Sequence, residues 1–156
     1  MAVDDVAHIE QLKYRYMRAL DCRRWNEFAE TLTEDVVAEY GEHLRFTSRE
    51  EVLTFMRRAM PPGLITEHRV TQPEIVVNGD VATAIWQLSD MVMHPAHGSM
   101  LRGAAIYEDE YVRASDGNWR IARTGYTRTY EYTVDVGNLP GFRMTVDPWQ
   151  SGKEFL

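Results

Sequence analysis

The pattern of hydrophobic and polar positions changes once along the chain, from a helical period to an alternating one. Up to Gly63, apolar residues recur at three- and four-residue spacing, which is typical of amphipathic helices. We predict helices over residues 4–20, from Trp25 to near Thr33–Asp35, and from Ser48 to Ala59. After Gly63 the apolar positions alternate, and this period predicts strands at Ile65–Val77, Val81–His94, Leu101–Arg113 and Trp119–Thr133.

Short local signals set the boundaries of these elements. Ser48-Arg-Glu-Glu51 is a capping box, in which the hydroxyl and the carboxylate satisfy free amides at a helix start. Asn78-Gly79 predicts a tight turn between two strands. Pro73 predicts a bulge or an edge position in its strand. The short apolar stretch Val36–Tyr40 predicts one more strand.

Helices followed by hairpin-connected strands favour an α+β domain over an alternating α/β one. We expect three helices packed against a strongly curved, mostly antiparallel sheet, forming a cone-shaped barrel with an internal cavity. The domain should cover residues 1–134. Residues 135–156 form an irregular tail, and we expect its aromatic residues to pack over the cavity or onto a neighbouring subunit; these are Phe142, Trp149 and Phe155, with Met144 beside them.

Composition and charge narrow the classes of partner. Hydrophobic residues make up 44% of the chain and charged residues 26%, as in an ordinary globular domain. A net charge of −7 with scattered basic residues argues against a nucleic-acid partner, which requires a basic surface. The acidic amino terminus and the lack of a long apolar run predict no membrane span and a cytoplasmic location. Cys22 is the single cysteine, so we predict a partly buried thiol and no intrachain disulfide.

Two charged residues stand on otherwise apolar strand faces. Asp90 falls between Leu88 and Val92, and Arg128 falls among aromatic residues. The residues predicted to share the face of Arg128 are Ala122, Thr124, Tyr126 and Tyr130. A buried ionisable group indicates either a structural ion pair or a functional site. Asp90 could pair with a base for architecture alone, and Arg128 could either stack on rings or bind a carboxylate or a substrate oxygen.

Three other polar residues have both a structural and a functional interpretation. A lone histidine such as His68 is more often structural than catalytic, and a phenol such as Tyr16 on an apolar helix face often only satisfies its hydroxyl. Asp21 could cap the helix that contains Trp25. Tyr16 and Asp21 lie about 140° apart on a continuous helix, so they converge only where the chain bends at its end.

The remaining histidines are weaker candidates. His8 lies in the first helical turn and His43 in a loop. His94 and His97 have a spacing that could hold a metal, but two ligands on one flexible loop make a poor site. We therefore expect no metal ion.

Taken together, these positions form a recognisable pattern. The segments that carry it are Leu12–Asp21, Arg24–Phe28 with Leu32, Thr47–Val52, Met60-Pro61, His68 with Pro73–Ile75, Trp86–Asp90, Gly103-Ala104, Tyr107–Tyr111 and Thr124–Arg128 with Glu131. Over about residues 8–132, the chain resembles the SnoaL-like branch of the nuclear-transport-factor-2-like superfamily, and within it the bile acid 7α-dehydratases. Scytalone dehydratase and the hexachlorocyclohexane dehydrochlorinases are more distant relatives.

The resemblance implies a site, a reaction and an assembly. The functional residues of the family fall on Tyr16, Asp21, His68, Asp90 and Arg128. The implied reaction is a dehydration that requires no metal or organic cofactor, with His68 as acid and base, Asp21 orienting the imidazole, and Tyr16 donating to a carbonyl oxygen. Asp90 and Arg128 would pair or orient the substrate. A dimer or trimer is expected.

The substrate and the reaction type stay open at this point. The supply of aromatic residues favours a hydrophobic, ring-containing substrate such as a steroid or polyketide, and the resemblance points to a hydroxy-ketone. An isomerase or cyclase would use the same groups, because it also moves a proton next to a carbonyl. A non-catalytic module that binds an apolar ligand in the same cone is the competing class.

Overall fold

A computed structural model describes residues 2–150, with the side chains described from Asp4 onward. The helices in this part of the chain are α1 (Ala2–Asp21), α2 (Trp25–Glu30) and α3 (Arg49–Ala59). The strands are β1 (Leu32–Tyr40), β2 (Leu44–Phe46), β3 (Ile65–Asn78), β4 (Val81–His94), β5 (Ser99–Arg113) and β6 (Trp119–Asp135). Short 3₁₀ turns at Pro95–His97 and Val136–Asn138 follow β4 and β6.

The strands form one six-stranded sheet in the order β2-β1-β6-β5-β4-β3. Only the β1–β6 pairing among these strands is parallel, so the sheet is mostly antiparallel. Helix α1 lies against β3 and β6, and α3 lies against β1. The predicted α+β fold class, with three helices on a mostly antiparallel sheet, is confirmed.

The core lies between the helices and one face of the sheet. Along β4, every second residue from Ala82 to Asp90 is buried, as the alternating pattern predicts. Helix α1 buries Ile9, Leu12 and Tyr16 against that face, which follows from their helical spacing. The predicted cap also forms, with a small shift: Ser48 Oγ accepts the Glu51 amide at 3.2 Å, and the Glu51 carboxylate accepts the amide of Thr47, one residue before the N-cap, at 2.7 Å.

Two element boundaries differ from the prediction. Helix α2 ends at Glu30, and Leu32 begins β1, where it is paired with Ile121 of β6. This parallel pairing joins segments far apart in sequence, and no local period reveals it. The structure also contains β2, a three-residue strand that is too short to produce a recognisable alternation.

Bulges change which residues share a face. Gln72 and Pro73 interrupt the β3–β4 register, and β3 is an edge strand, so both expectations for Pro73 are confirmed. In β6 the register with β5 shifts at Ala122 and again at Thr129. Each shift reverses the alternation. The prediction that Ala122 and Tyr130 share the face of Arg128 is therefore wrong, and Tyr130 is 56% exposed.

The burial pattern of β4 becomes less regular towards its end. The register with β3 and β5 is unbroken there, so Val92 stays on the face of Asp90 as predicted, although it is only half-buried and Met93 is buried. Its partner Leu101 in β5 is also half-buried.

The tail after β6 has both buried and exposed residues. Val136 is buried, whereas Phe142 and Met144 are exposed. Trp149 Nε1 donates to the carbonyl oxygen of Leu64 at 3.0 Å. Phe155 lies outside the described residues. Whether the tail forms a unit separate from residues 1–134, and whether it contacts a second subunit, stay predictions. Within residues 2–150, no helix has the length and apolar character needed to cross a bilayer.

Candidate functional site

His68 and Asp21 meet at the junction of α1 and β3. Asp21 is the last residue of α1, and its Oδ1 lies 2.6 Å from Nδ1 of His68. Its Oδ2 accepts the backbone amide of His68 at 2.8 Å, and Oδ1 also accepts the hydroxyl of Thr66 at 2.9 Å. The two side chains are largely buried, with 9% of His68 and 19% of Asp21 exposed. The carboxylate therefore contacts β3 through three donors, which orient it relative to the imidazole.

Asp21 has no role as a helix cap. Arg24 occupies the N-cap position of α2 and no side chain satisfies the amides there, so the capping interpretation of Asp21 is wrong. The chain turns sharply after Asp21, because Arg23 has a positive φ of 59°. This turn ends α1 against the start of β3, where Asp21 reaches His68.

A row of polar residues crosses four strands beside this pair. His68 of β3 is paired with Asp90 of β4, Asp90 with Gly103 of β5, and Gly103 with Glu131 of β6. Arg128 donates two hydrogen bonds to the carboxylate of Asp90, at 2.6 and 2.7 Å. Its Nε lies 3.2 Å from Oε2 of Glu131. Glu131 reaches this row because the bulge at Thr129 places its side chain, which is 45% exposed, on the same side of the strand as Arg128.

Asp90 and Arg128 thus form a bidentate ion pair beside the dyad. Asp90 is 3% exposed, whereas the Arg128 side chain keeps 26% of its surface accessible. The hydrogen bonds and charge of Asp90 raise the pKa of the Arg128 guanidinium above its ordinary value. The charged form of Arg128 is therefore stabilised, and its exposed edge can still meet a ligand.

Gly103 leaves the space that this ion pair uses. A Cβ at position 103 would lie 2.7 Å from Nη1 of Arg128, 3.0 Å from the carbonyl oxygen of Tyr130 and 3.2 Å from Oδ1 of Asp90. We expect Gly103→Ala to destabilise the protein by about 1–3 kcal/mol through overpacking, measured by urea denaturation. The penalty should be smaller in an Arg128→Ala background, and an equal penalty in both backgrounds would contradict this explanation.

Tyr16 lies in the core and not at an exposed edge of the site. Its hydroxyl is 2.7 Å from the hydroxyl of Tyr40, and both side chains are buried. The Tyr40 ring stacks on Tyr126 at 5.9 Å, and Arg128 lies over the Tyr126 ring. Tyr16 is thereby connected to the Asp90–Arg128 pair through two other tyrosines, which the sequence had not indicated as site residues.

Burial keeps these phenols protonated. It raises the pKa of Tyr16, Tyr107 and Tyr111 well above 10.0, and it raises the pKa of Tyr40 in the same direction, although the bond from Tyr16 opposes that rise. The pKa of each of these phenols is therefore higher in the folded protein than in the unfolded chain. The protein has its full stability below pH 10 and loses stability as the pH rises through the pKa values of the folded state.

An ultraviolet titration tests this expectation. Tyr16, Tyr40, Tyr107 and Tyr111 should stay protonated past pH 10 and ionise together with loss of the far-ultraviolet dichroism. The control is the same titration in denaturant, where all eight tyrosines should ionise near their ordinary pKa. Ionisation of every tyrosine near pH 10 in protein that is still folded would contradict it.

A buried ion pair was not predicted from the sequence. Nζ of Lys13 lies 2.7 Å from Oδ2 of Asp109, and both side chains are fully buried. Asp109 also accepts the hydroxyls of Tyr111 and Thr124, each at 2.7 Å. The signal was present, because Lys13 has helical spacing from Ile9 and Asp109 alternates with two tyrosines.

Two other contributors to the dyad were also missed. Thr66 donates to Asp21, and Arg23 donates from Nη1 to Oγ1 of Thr66 at 3.0 Å. The alternation of Thr66 with His68 along β3 places both on one face and could have indicated Thr66. Arg23 had no such signal, because its position depends on where α1 ends.

The other candidates lie elsewhere. His94 and His97 stack on each other at 4.4 Å, and no group of three or more metal-ligating side chains of the His, Cys, Asp or Glu type occurs in the described ranges. His43 is exposed. Cys22 is half-buried, as predicted, and burial raises the pKa of its thiol.

Two cavities bear on the position of the site. One, of about 590 Å³, lies between the start of α1 and the β5–β6 turn; its lining includes His8 but neither Asp21 nor His68. A cavity of about 90 Å³ adjoins Asp21 and Thr66 and is bounded by Pro148 and Trp149 of the tail. Small-molecule sites usually enclose about 300–1,000 Å³. The space beside Asp21 is therefore narrow in this conformation.

Comparison with known proteins identifies the family. The SnoaL-like domain family matches residues 1–125. An uncharacterised protein of Mycobacterium tuberculosis is 26% identical over 134 residues, which cover 83% of this chain and 88% of that protein.

Solved structures of low identity share the fold. A hexachlorocyclohexane dehydrochlorinase, LinA type 2, has a TM-score of 0.79 at 19% identity and covers 93% of this chain and 95% of its own. A provisionally named scytalone dehydratase of Novosphingobium aromaticivorans has a TM-score of 0.77 at 20% identity, covering 86% of this chain and 89% of its own. The family match spans most of the chain and the fold agrees with it, so this protein belongs to the SnoaL-like domain family of the nuclear-transport-factor-2-like superfamily.

Proposed function

We propose that this protein is a cofactor-independent dehydratase that eliminates water from a hydrophobic, ring-containing hydroxy-ketone such as a steroid or polyketide. The observation that carries the proposal is the contact between Nδ1 of His68 and Oδ1 of Asp21 at 2.6 Å, at a largely buried junction. Membership of a family whose structural neighbours include dehydratase-type and dehydrochlorinase-type proteins supports the same reaction class.

The dyad provides a base in a defined tautomer. A carboxylate can only accept, so Nδ1 of His68 carries the proton of this hydrogen bond and Nε2 holds the lone pair. In the proposed step, Nε2 removes a proton from the carbon next to the substrate carbonyl. Asp21 then stabilises the imidazolium through the same hydrogen bond, as a carboxylate does in a hydrolase triad.

Elimination follows from the enolate that this step forms. The C–H electron pair moves into the enolate and then into a new carbon–carbon double bond, while the C–O bond to the neighbouring hydroxyl breaks. The imidazolium of His68 returns its proton to the departing hydroxyl, which leaves as water. No electrons are gained or lost overall, so the reaction requires no redox partner.

The other site residues would stabilise and orient the substrate. Arg128, held in its charged form by Asp90, offers donors to a carbonyl or carboxylate oxygen of the substrate. The Tyr16–Tyr40 pair shares one hydrogen bond between two hydroxyls, which leaves one of its two protons for a further acceptor. A donor in such an apolar setting stabilises developing oxyanion charge more strongly than it would in water.

The size of the cavity has a consequence for this proposal. A ring-containing substrate does not fit the space of about 90 Å³ beside Asp21. In the proposed function, Pro148 and Trp149, which bound this space, move away from Asp21 when the substrate enters. The bond from Trp149 Nε1 to the carbonyl oxygen of Leu64 is one of the contacts that this movement would break.

The test is an assay with a panel of cyclic hydroxy-ketones, monitored by product mass, after dialysis against a chelator. Loss of one water from at least one compound, at a rate that the chelator does not change, is the expected result. Products of unchanged mass would instead indicate an isomerase. A thermal shift with apolar ligands but no product in the whole panel would identify a binding module and overturn the proposal.

A further inference from the structure

Arg23 occupies a backbone position that disfavours its residue type. The amide of Arg24 bonds to the carbonyl of Ala19 and the amide of Arg23 to that of Leu20, the pattern of a Schellman motif that ends α1. Arg23 therefore lies at the residue after the C-cap, with a left-handed φ of 59°, where glycine is the usual choice. An arginine at this site suggests that its side chain has a role that offsets the backbone strain.

That side chain joins three parts of the fold. Its donors bond the carbonyl oxygens of Leu20 and Asp21 at the end of α1, Met60 after α3, and Leu64 before β3, at 2.8–3.2 Å. Nη1 also donates to Oγ1 of Thr66 at 3.0 Å. The guanidinium thus connects the end of α1 to the start of β3, the two elements that carry the dyad.

The direction of these hydrogen bonds determines the position of a proton. A guanidinium has donors and no acceptor, so Oγ1 of Thr66 accepts from Arg23. The Thr66 hydroxyl proton is then directed to Oδ1 of Asp21, 2.9 Å away. With this donor and the amide of His68 in place, the carboxylate is held so that Oδ1 faces Nδ1 of His68.

We propose that Arg23 is a positioning residue that, through Thr66 and Asp21, holds His68 in the tautomer with its proton on Nδ1 and its lone pair on Nε2. The relay consists of three hydrogen bonds of 3.0, 2.9 and 2.6 Å, from Arg23 to Thr66, Thr66 to Asp21, and Asp21 to His68. The effect on tautomer is independent of any substrate. Its effect on rate rests on the proposed function.

Two substitutions break the relay at different points. Arg23→Gly removes the guanidinium and also relieves the left-handed strain, so the turn after α1 is retained. Thr66→Val removes the hydroxyl with little change in shape and leaves the carbonyl contacts of Arg23 in place. The matched control is Arg69→Ala. Arg69 directly follows His68 in the chain, and its exposed guanidinium bonds Glu67.

Nitrogen-15 NMR of the His68 imidazole measures the tautomer directly. The unmodified protein should show Nδ1 protonated and a Nδ1 proton protected from exchange with water. Arg23→Gly and Thr66→Val should each lose this protected signal and move the nitrogen shifts towards the other tautomer, while Arg69→Ala should not. If both relay variants fold and keep the protected Nδ1 proton, the proposal is overturned.

Kinetics provide the second measurement once a substrate is known. Each relay variant should lower kcat by about 10- to 100-fold, the size expected for a small misplacement of a catalytic group, with KM nearly unchanged. The double variant should be no slower than the worse single variant, because both act on one relay. If the kcat losses of the two single variants multiply in the double variant, or if the variants raise KM and leave kcat unchanged, Arg23 has a merely structural role.

These outcomes separate the two proposals. If no compound is dehydrated but the NMR signals respond as expected, the proposed function fails and the positioning role stands. If His68 proves essential for turnover while the relay variants keep its tautomer, the positioning role fails and the proposed function stands.

Discussion

Replacing His68 by alanine should lower the dehydration rate by about 100- to 10,000-fold while the protein remains folded. The reason is that the imidazole is proposed both to remove the proton from carbon and to return it to the leaving hydroxyl. Asp21→Asn should have an effect of similar direction, because an amide can also donate to the ring and no longer selects the tautomer with a proton on Nδ1. Initial rates on the substrate identified by product mass provide the measurement.

The control for this experiment is His97→Ala. It removes an exposed imidazole that lies in the turn after β4 and stacks on His94. We expect its rate to equal that of the unmodified protein. Circular dichroism and thermal unfolding of each variant show whether the fold is retained. A folded His68→Ala protein that dehydrates the substrate at the unmodified rate would refute the assignment of His68 as the base.

Replacing Lys13 by methionine should destabilise the protein by about 3–5 kcal/mol. The ammonium group and the carboxylate of Asp109 lie 2.7 Å apart with no exposed surface, so removing the lysine leaves a charged carboxylate without its counter-charge in the core. The ammonium also lies 3.7 Å from the centre of the Tyr107 ring, a contact that methionine only partly replaces. The free energy of unfolding in urea measures the loss.

A second variant keeps this prediction testable if the single variant does not fold. Lys13→Met combined with Asp109→Asn removes both charges. The amide keeps an oxygen acceptor for one of the hydroxyls of Tyr111 and Thr124, and its NH2 group can donate to the other. The double variant should recover most of the lost stability. The matched control is Arg120→Met. Arg120 pairs with Asp116, which is 46% exposed, so breaking this ion pair should cost less than about 1 kcal/mol. Equal losses for Lys13→Met and Arg120→Met would contradict the argument.

Hydrophobic periodicity predicted most elements because burial acts on neighbouring residues in the chain. The helical spacing in α1 and the alternation in β4 each place apolar side chains on one face, and both faces are buried as expected. The same reasoning failed at Leu32, which fits a helical pattern yet pairs with Ile121 in a strand. A contact between distant segments decided that residue, and a local period contains no information about it.

The candidate site illustrates the same division. Asp90 and Arg128 were recognisable as charges on apolar faces, but the bulge at Thr129 determined that Glu131, and not Tyr130, lies beside Arg128. A shift of one residue reverses every side chain beyond it, so small register changes escape a pattern-based prediction. The need for glycine at position 103 also became clear only from the structure, because a Cβ there would collide with the Arg128 guanidinium.

By itself, the sequence determined the fold class, the approximate limits of the main helices and strands, and a set of polar residues whose burial requires partners. Only the tertiary structure decided which partners those are: Asp21 for His68, Asp90 for Arg128 and Asp109 for Lys13. The physical reason is the separation along the chain over which each effect acts. Periodic burial is a property of consecutive residues, whereas each ion pair and hydrogen bond depends on where a helix ends and how strands far apart in the chain are aligned.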